Sequence, residues 1–356
     1  MEPLNNLRDE RGLAGTRVIQ SDLHVLLASD QRYVRGLLVT LASAAKFAPT
    51  DRHTTLHVIN AGLTAYGVQE VRRLARRFPP QISLDLRSLN VPREIEGARK
   101  MSGSTACYAR LLMGSFLPDV ERVIYLDVDI VVNRPLDELW NVDLGGRLLG
   151  AVRDPHFQTL ADDCLTHSQP ELGDDLVHYF NSGVLIVDLD FWRRSSFEQV
   201  VLNYLSEHGA KCKLWDQTAL NRLLRGHVAW LHSSMNFLVL PAQNHDFRVD
   251  QAVLFDGRAI YHMVGATKPW HAFLYHEAHT LWHRNWILLV RRFPTYALSP
   301  AFWARPVLWQ FVRGSKLHEW ACRVALRAKI YRFIPAVSEA RLRSHLALFE
   351  PSQPPS

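Results

Sequence analysis

VIYLDVDIVV, residues 123–132, is an apolar run broken by two carboxylates two positions apart, Asp127 and Asp129. On a strand, residues i and i+2 face the same way about 7 Å apart along the backbone, so both side chains can converge on one cation. Two acids inside an apolar strand with no counter-charge would carry a heavy desolvation cost. The competing reading is a strand end entering solvent, with each acid capping a turn. Upstream, an apolar stretch at residues 24–28 stops at Ser29-Asp30, and YVRGLLVTLASAAKF (33–47) has helical spacing and ends before Pro49. A strand at 56–59, a helix at 69–78 before Pro79-Pro80 and a strand at 82–86 continue the alternation. The order predicts an α/β domain with a mainly parallel central sheet flanked by helices, whose ligands gather at the carboxyl ends of the strands.

Downstream, CYARLLMGSFL (107–117) reads as a helix stopped by Pro118, and RVIYL (122–126) as a buried strand running on into DVDIVV. Strand-like LLGAV (148–152) and FNSGVLIVDL (180–189), a helix after Phe197 and helical WDQTALNRLL (215–224) follow. No internal repeat or low-complexity linker precedes about residue 290.

The 356 residues are 47% hydrophobic and 21% charged, enough for one sizeable core and incompatible with disorder as the main state. The net charge of +6 is uneven: residues 291–356 hold 11 basic and 3 acidic groups, leaving the front of the chain at −2. That distribution excludes a nucleic-acid groove across the main domain. Cys107, Cys164, Cys212 and Cys322 are far apart and form no CxxC pair, which fits a reducing compartment. The N-terminal residues carry charges where a secretory apolar core would lie, and no apolar stretch approaches the ~18 residues of a spanning helix, so a cytoplasmic protein is expected. In the tail, Leu317, Trp320, Ala321, Val324, Ala328 and Tyr331 share one helical face bordered by Lys316, Arg323 and Arg327. Such a face can pack on the domain; the local charge and interleaved aromatics match an interfacial helix on anionic lipid, and hence peripheral attachment.

A further ligand for the carboxylate pair lies in IYHMVGATKPWH (260–271), where a strand-like run ends at His262. Gly265 lets backbone approach a ligand closely, and Lys268 supplies a point charge suited to phosphate oxygens. Two carboxylates and one imidazole suit Mn²⁺ or Mg²⁺ better than zinc. His271, His276, His279 and His283 also cluster in sequence, but without HExxH or a nearby cysteine they read as a polar rim or plain surface. Arg72, Arg73, Arg76 and Arg77 read as a solvated helix face.

ASDQRY (28–33), STACYARLLM (104–113), YLDVDIVV (125–132), FNSGVLIVDL (180–189), LWDQTALN (214–221) and HMVGATKPWH (262–271) stand in the order and approximate spacing of the family 8 glycosyltransferases, which the chain resembles over residues 22–285. These are retaining enzymes of the GT-A nucleotide-diphospho-sugar fold, and bacterial lipopolysaccharide galactosyl- and glucosyltransferases are similar. The resemblance implies Asp127, Asp129 and His262 as ligands of a Mn²⁺ or Mg²⁺ bridging the phosphates of UDP-glucose or UDP-galactose. It implies Asp30 and Tyr33 on the uridine and Arg110 beside the diphosphate-sugar. Asn181, Asp216 and Gln217 would line the sugar pocket, Asp154 would hold sugar hydroxyls, and Gly265 and Lys268 would hold the departing phosphate. Arg32 stands where the family often has Asn, and Thr218 where many relatives have a second Asp.

Because Thr218 offers no carboxylate, front-face attack is favoured, in which the acceptor hydroxyl enters beside the leaving phosphate and passes its proton to it. The acceptor implied is a glycan or glycolipid such as lipopolysaccharide core. Two other readings use the same residues: a phosphatase of haloacid dehalogenase type with Asp127 as nucleophile, and a non-catalytic sugar-nucleotide-binding module. The expected organisation is an N-terminal extension (1–21), a catalytic domain (22–285) and a basic helical tail (286–356).

Overall fold

The first three strands of the computed structural model are β1 (Leu23–Ser29), β2 (Thr54–Asn60) and β3 (Ile82–Ser88), joined by helices α1 (Val34–Lys46) and α2 (Ala65–Ala75). The structure describes residues 21–88, 92–96, 98, 106–157, 178–225, 227–239, 258–265 and 268–270, with single positions at Trp282, Asn285, Trp320, Arg323, Val324 and Arg327. The chain divides into two compact units: Met1–Phe237 with Arg258–His262, and Leu238–Gly257 with Met263–Ser356.

In the first unit, β4 (Arg122–Leu126), β6 (Leu149–Arg153), β7 (Phe180–Asp188) and β8 (Val228–Trp230) complete a seven-stranded sheet in the order β3-β2-β1-β4-β7-β6-β8. β3, β2, β1 and β4 run parallel, as do β6 and β8, whereas β7 is antiparallel to both β4 and β6. The mainly parallel sheet expected from the alternation is therefore present with one reversed strand at its heart. That reversal brings the first residues of β7 to the carboxyl ends of β4 and β6. Its burial is complete over Phe180–Val187, so hydrophobic periodicity could not reveal its direction. Leu26, Ile124, Leu185 and Ile186 are fully buried in the sheet, and Trp140, Trp192 and Phe197 pack as large buried side chains.

Residues 127–129 depart from the sequence expectation. β4 ends at Leu126, Asp127-Val128-Asp129 form a turn, and β5 (Ile130–Val132) pairs antiparallel with β10 (Ile260–His262) in a second sheet ordered β5-β10-β9, where β9 is Phe237–Leu238. The two carboxylates converge because the chain turns between sheets, and strand alternation plays no part. Buried hydroxyls of α1 hold β5 off the main sheet: Thr40 Oγ1 donates to Ile130 O at 2.8 Å, and Ser43 Oγ accepts from Val132 N at 3.1 Å.

Two helices also differ from the periodicity. α2 spans Ala65–Ala75 because Thr64 caps it, its hydroxyl accepting from Gly67 N at 3.2 Å. The predicted helix at 107–117 is a 3₁₀ segment, Ala106–Leu112, followed by a short α-helix, Met113–Phe116. A three-residue turn aligns Cys107 with Arg110, and Arg110 Nε donates to Cys107 O at 3.1 Å. Helices α3 (Phe197–His208) and α4 (Trp215–Leu223) follow the spacing read from sequence. Of the tail helix, Trp320, Arg323, Val324 and Arg327 are helical and the rest lies outside the described residues, as do the four clustered histidines.

Candidate functional site

Asp127 and Asp129 leave the end of β4, His262 ends β10, and one ligand atom from each lies within 4.8 Å of the others. His262 Nε2 stands 3.2 Å from Asp129 Oδ1 and 3.7 Å from Asp127 Oδ2. The proton on the imidazole can be assigned from its surroundings. Gly183 N–H donates to Asn181 Oδ1 at 3.0 Å, so that atom is the acceptor end of the amide. Asn236 must then present its NH₂ to Asn181 Oδ1, at 2.8 Å, and its Oδ1 to His262 Nδ1, at 3.1 Å. His262 Nδ1 is thus placed to donate to Asn236, and Nε2 is directed at the two carboxylates. Two carboxylates and an imidazole nitrogen converging in a largely buried place call for positive charge among them, and as a donor set they fit a hard divalent ion.

Close packing makes this convergence possible. Strand β7 carries an irregularity against β6 between Ala151 and Val152, where the register passes from Ala151↔Leu185 to Val152↔Asn181. Residues 182–184 are thereby released from β6 and turned toward the carboxylates. Asp127 N donates to Gly183 O at 2.8 Å. Gly183 has no side chain, and a Cβ there would lie 2.1 Å from His262 Cε1.

Arg110, 4% exposed, is the electrostatic hub. Its Nη2 donates to Asp127 Oδ1 at 2.7 Å, its Nη1 to Ser182 Oγ at 2.9 Å and to Ser182 O, and its Nε lies 2.9 Å from Asp216 Oδ2. The guanidinium also stacks 4.5 Å from the Tyr125 ring, whose hydroxyl donates to Asp127 Oδ1 at 2.9 Å. Burial works against the charge of Arg110, yet Asp127 and Asp216 outweigh it and hold its protonated form. Asp216 is pushed up to about 6, chiefly by burial, with Arg110 opposing. Burial likewise raises the Cys107 thiol and the Tyr125 phenol.

Beside this hub lies a rigid set of carboxamides. Trp215 opens α4 at φ 53°, a left-handed conformation unusual for a large side chain, and the helix then carries Asp216 and Gln217 inward. Gln217 Oε1 accepts from Ser182 N at 2.9 Å, and its Nε2 donates to Asp154 Oδ2 at 3.3 Å. Asn181 Nδ2 donates to the same Asp154 oxygen at 3.1 Å, while Asp154 Oδ1 accepts from His156 N at 2.9 Å and Phe157 N at 3.3 Å. Asn221, one turn beyond Gln217, pins Phe180 through both its amide N–H and its carbonyl.

At the end of β1, Asp30 caps a 3₁₀ turn (Gln31–Tyr33), accepting from Arg32 N at 2.9 Å, and its other oxygen takes the Arg32 guanidinium at 3.0 Å. Tyr33 is pushed up to about 12, by burial first and then by the Asp129 and Asp30 carboxylates. In the second unit, Gly265 has φ +86°, and buried Lys268 donates from Nζ to Met263 O at 3.0 Å. The structure thus gathers Asp127, Asp129, His262, Arg110, Asn181, Asp154, Gln217 and Asp216 into one connected network, with Tyr33 and Asp30 at its margin. Tyr125, Ser182, Gly183, Asn221 and Asn236 belong to it as well and were not singled out from the sequence. The first four lie in or beside the quoted motifs; nothing in SSMNF (233–237) marks Asn236.

The sequence model of glycosyl transferase family 8 matches residues 24–273. A Haemophilus influenzae relative called a putative glycosyltransferase is 27% identical over 60% of this chain and 63% of its own length, so this chain spans just under two thirds of it. The Escherichia coli lipopolysaccharide 1,2-glucosyltransferase is 26% identical over 70% of this chain and 73% of its own. Among solved structures, the galactosyltransferase LgtC in complex with donor and acceptor sugar analogues superposes with a TM-score of 0.58 at 26% identity, covering 76% of this chain and 96% of that one. The α/β sheet with its flanking helices is thus that of the GT-A glycosyltransferases.

Proposed function

The chain belongs to glycosyl transferase family 8, and from that premise we propose that it moves a glucose or galactose from UDP to a glycan acceptor with retention at the anomeric carbon. The convergence of Asp127, Asp129 and His262 Nε2 carries this reading, because that donor set suits the cation of a nucleotide diphosphate. Asp127, Asp129 and His262 would hold a Mn²⁺ or Mg²⁺, which would supply positive charge against the leaving diphosphate. Arg110 holds Asp127 in place through its Nη2 donor. Tyr33 and Asp30 would face the uridine. Asn181, Asp154 and Gln217 would orient the sugar hydroxyls from their mutually bonded positions.

The hydrogen bonding favours front-face attack over a covalent sugar intermediate. Both oxygens of Asp154 are engaged, by two backbone N–H groups on one and by two carboxamides on the other. Asp216 is 3% exposed and ion-paired to Arg110. Gln217 presents its carbonyl oxygen to Ser182. With each of these three side chains engaged, the acceptor hydroxyl would attack from the side of the leaving phosphate, its proton passing to a phosphate oxygen.

Lipopolysaccharide core is the acceptor class favoured by the name of the E. coli relative and by the basic tail. Attachment at the cytoplasmic face of the inner membrane is supported by Trp320, helical and 60% exposed. Among the described residues no helix is long and apolar enough to cross a membrane. The domain division proposed is a catalytic region over 22–285 followed by this tail.

The test is a screen of UDP-glucose, UDP-galactose and UDP-N-acetylhexosamines for Mn²⁺-dependent UDP release. One UDP-hexose should be hydrolysed, and Asp129→Ala should abolish that turnover while keeping the wild-type circular dichroism. No release from any donor, or full activity in Asp129→Ala, overturns the reading.

A further inference from the structure

We propose that Asn236 is a positioning residue that couples the third metal ligand to the sugar pocket through the two ends of one carboxamide. The inference rests on the metal-dependent reading above. Asn236 is wholly buried and reaches its place through a 3₁₀ turn, Ser233–Met235, capped by His232. Its carbonyl oxygen accepts from His262 Nδ1 at 3.1 Å, and its NH₂ donates to Asn181 Oδ1 at 2.8 Å. The amide of Asn181 continues to Asp154 Oδ2, where Gln217 also ends. One unbroken chain of hydrogen bonds therefore runs from His262 to the sugar-facing carboxylate.

The polarity of that chain is imposed from fixed points at both ends. The backbone N–H of Gly183 can only donate and the carboxylate of Asp154 can only accept, so Asn181 has one allowed orientation. Asn236 inherits its own orientation from Asn181, and His262 inherits its tautomer from Asn236. A flipped Asn236 would set NH₂ against the Nδ1–H of His262 and would move the proton to Nε2, where a cation must bind. Partners that orient a ligating histidine in this way commonly account for 10- to 100-fold in metal affinity.

The experiment is a titration of Mn²⁺ alone into the full-length protein, followed by electron paramagnetic resonance, for wild type, Asn236→Ala and Asn236→Asp. Asn236→Ala removes both contacts and should weaken Mn²⁺ binding by 10- to 100-fold. Asn236→Asp keeps the shape and the acceptor for His262 but sets a carboxylate oxygen against Asn181 Oδ1. It should recover Mn²⁺ affinity to within about threefold of wild type while retaining a raised KM for the UDP-sugar. A purely structural role would move both readouts together in both variants. Mn²⁺ affinity of Asn236→Ala within about threefold of wild type, or equal affinities for the Ala and Asp variants, overturns the proposal. Wild type that binds Mn²⁺ but hydrolyses no UDP-sugar sinks the transferase reading and leaves the metal arm standing; wild type that binds no Mn²⁺ overturns both.

Discussion

Gly183→Ala adds one methyl group where the structure has no room for it. The new Cβ would lie 2.1 Å from His262 Cε1, 2.6 Å from His262 Nδ1 and 3.0 Å from Asp127 Oδ2. Ordinary carbon–carbon contact begins near 3.5 Å, so the imidazole would have to retreat by roughly 1.4 Å. No glycine-only backbone conformation is involved, because Gly183 lies within the extended strand β7, and the effect is purely steric. His262 is 4% exposed and hydrogen-bonded to Asn236, so a retreat either breaks that bond or shifts β10. Overpacking of this kind costs about 1–3 kcal/mol of stability. A cation tolerates only about 0.2 Å of error in its ligand distances, so Mn²⁺ affinity should fall by on the order of 100-fold. Calorimetric Mn²⁺ titration and thermal unfolding, read together, check both figures. The double variant Gly183→Ala/His262→Ala removes the ring that is struck. It should regain most of the lost stability without regaining the metal, a non-additivity expected of touching residues. Wild-type Mn²⁺ affinity in the single variant, or strictly additive stabilities in the pair, would rule out a clash between residue 183 and His262.

Other perturbations test separate parts of the argument. Arg110→Met leaves Asp216 buried without its counter-charge and should lower the unfolding free energy by about 3 kcal/mol, measured by urea denaturation. A second, partly buried chain, apart from the site, links Asp85 Oδ2 to His57 Nδ1 at 2.8 Å and His57 Nε2 to His24 Nδ1 at 3.0 Å. Burial, then His57, depresses His24 from 6.5 to about 4, so the unfolded chain binds more protons between those values. The stability from neutral His24 is complete above about pH 6.5 and is lost as pH falls toward 4; discounted for partial exposure, the loss is on the order of 1 kcal/mol. His24→Asn should flatten thermal stability across that window, and an unchanged slope would count against the assignment. Trp320→Ser should weaken partition into anionic vesicles several-fold and leave soluble UDP release unchanged, because the indole is 60% exposed; equal partition by co-sedimentation would argue against the tail as an anchor.

Residue pattern by itself carried the alternation of strands and helices, the pairing of Asp127 with Asp129 and the choice of His262 as their partner. Those features are local or chemical: periodicity reports which face is buried, and acids in an apolar run need a cation. Tertiary structure alone decided how these three side chains meet. The reversal of β7 is invisible in a strand buried on both faces, and the turn at 127–129 depends on β5 being drawn away by Thr40 and Ser43, about 90 residues earlier in the chain. The need for glycine at 183 arises only when β10 brings His262 against it. Asn236 is an unremarkable polar residue until its two amide ends find partners 26 and 55 positions away. Hydrogen-bond polarity is a property of groups in space, so a linear pattern can single out candidate residues while leaving their spacing and their partners to the fold.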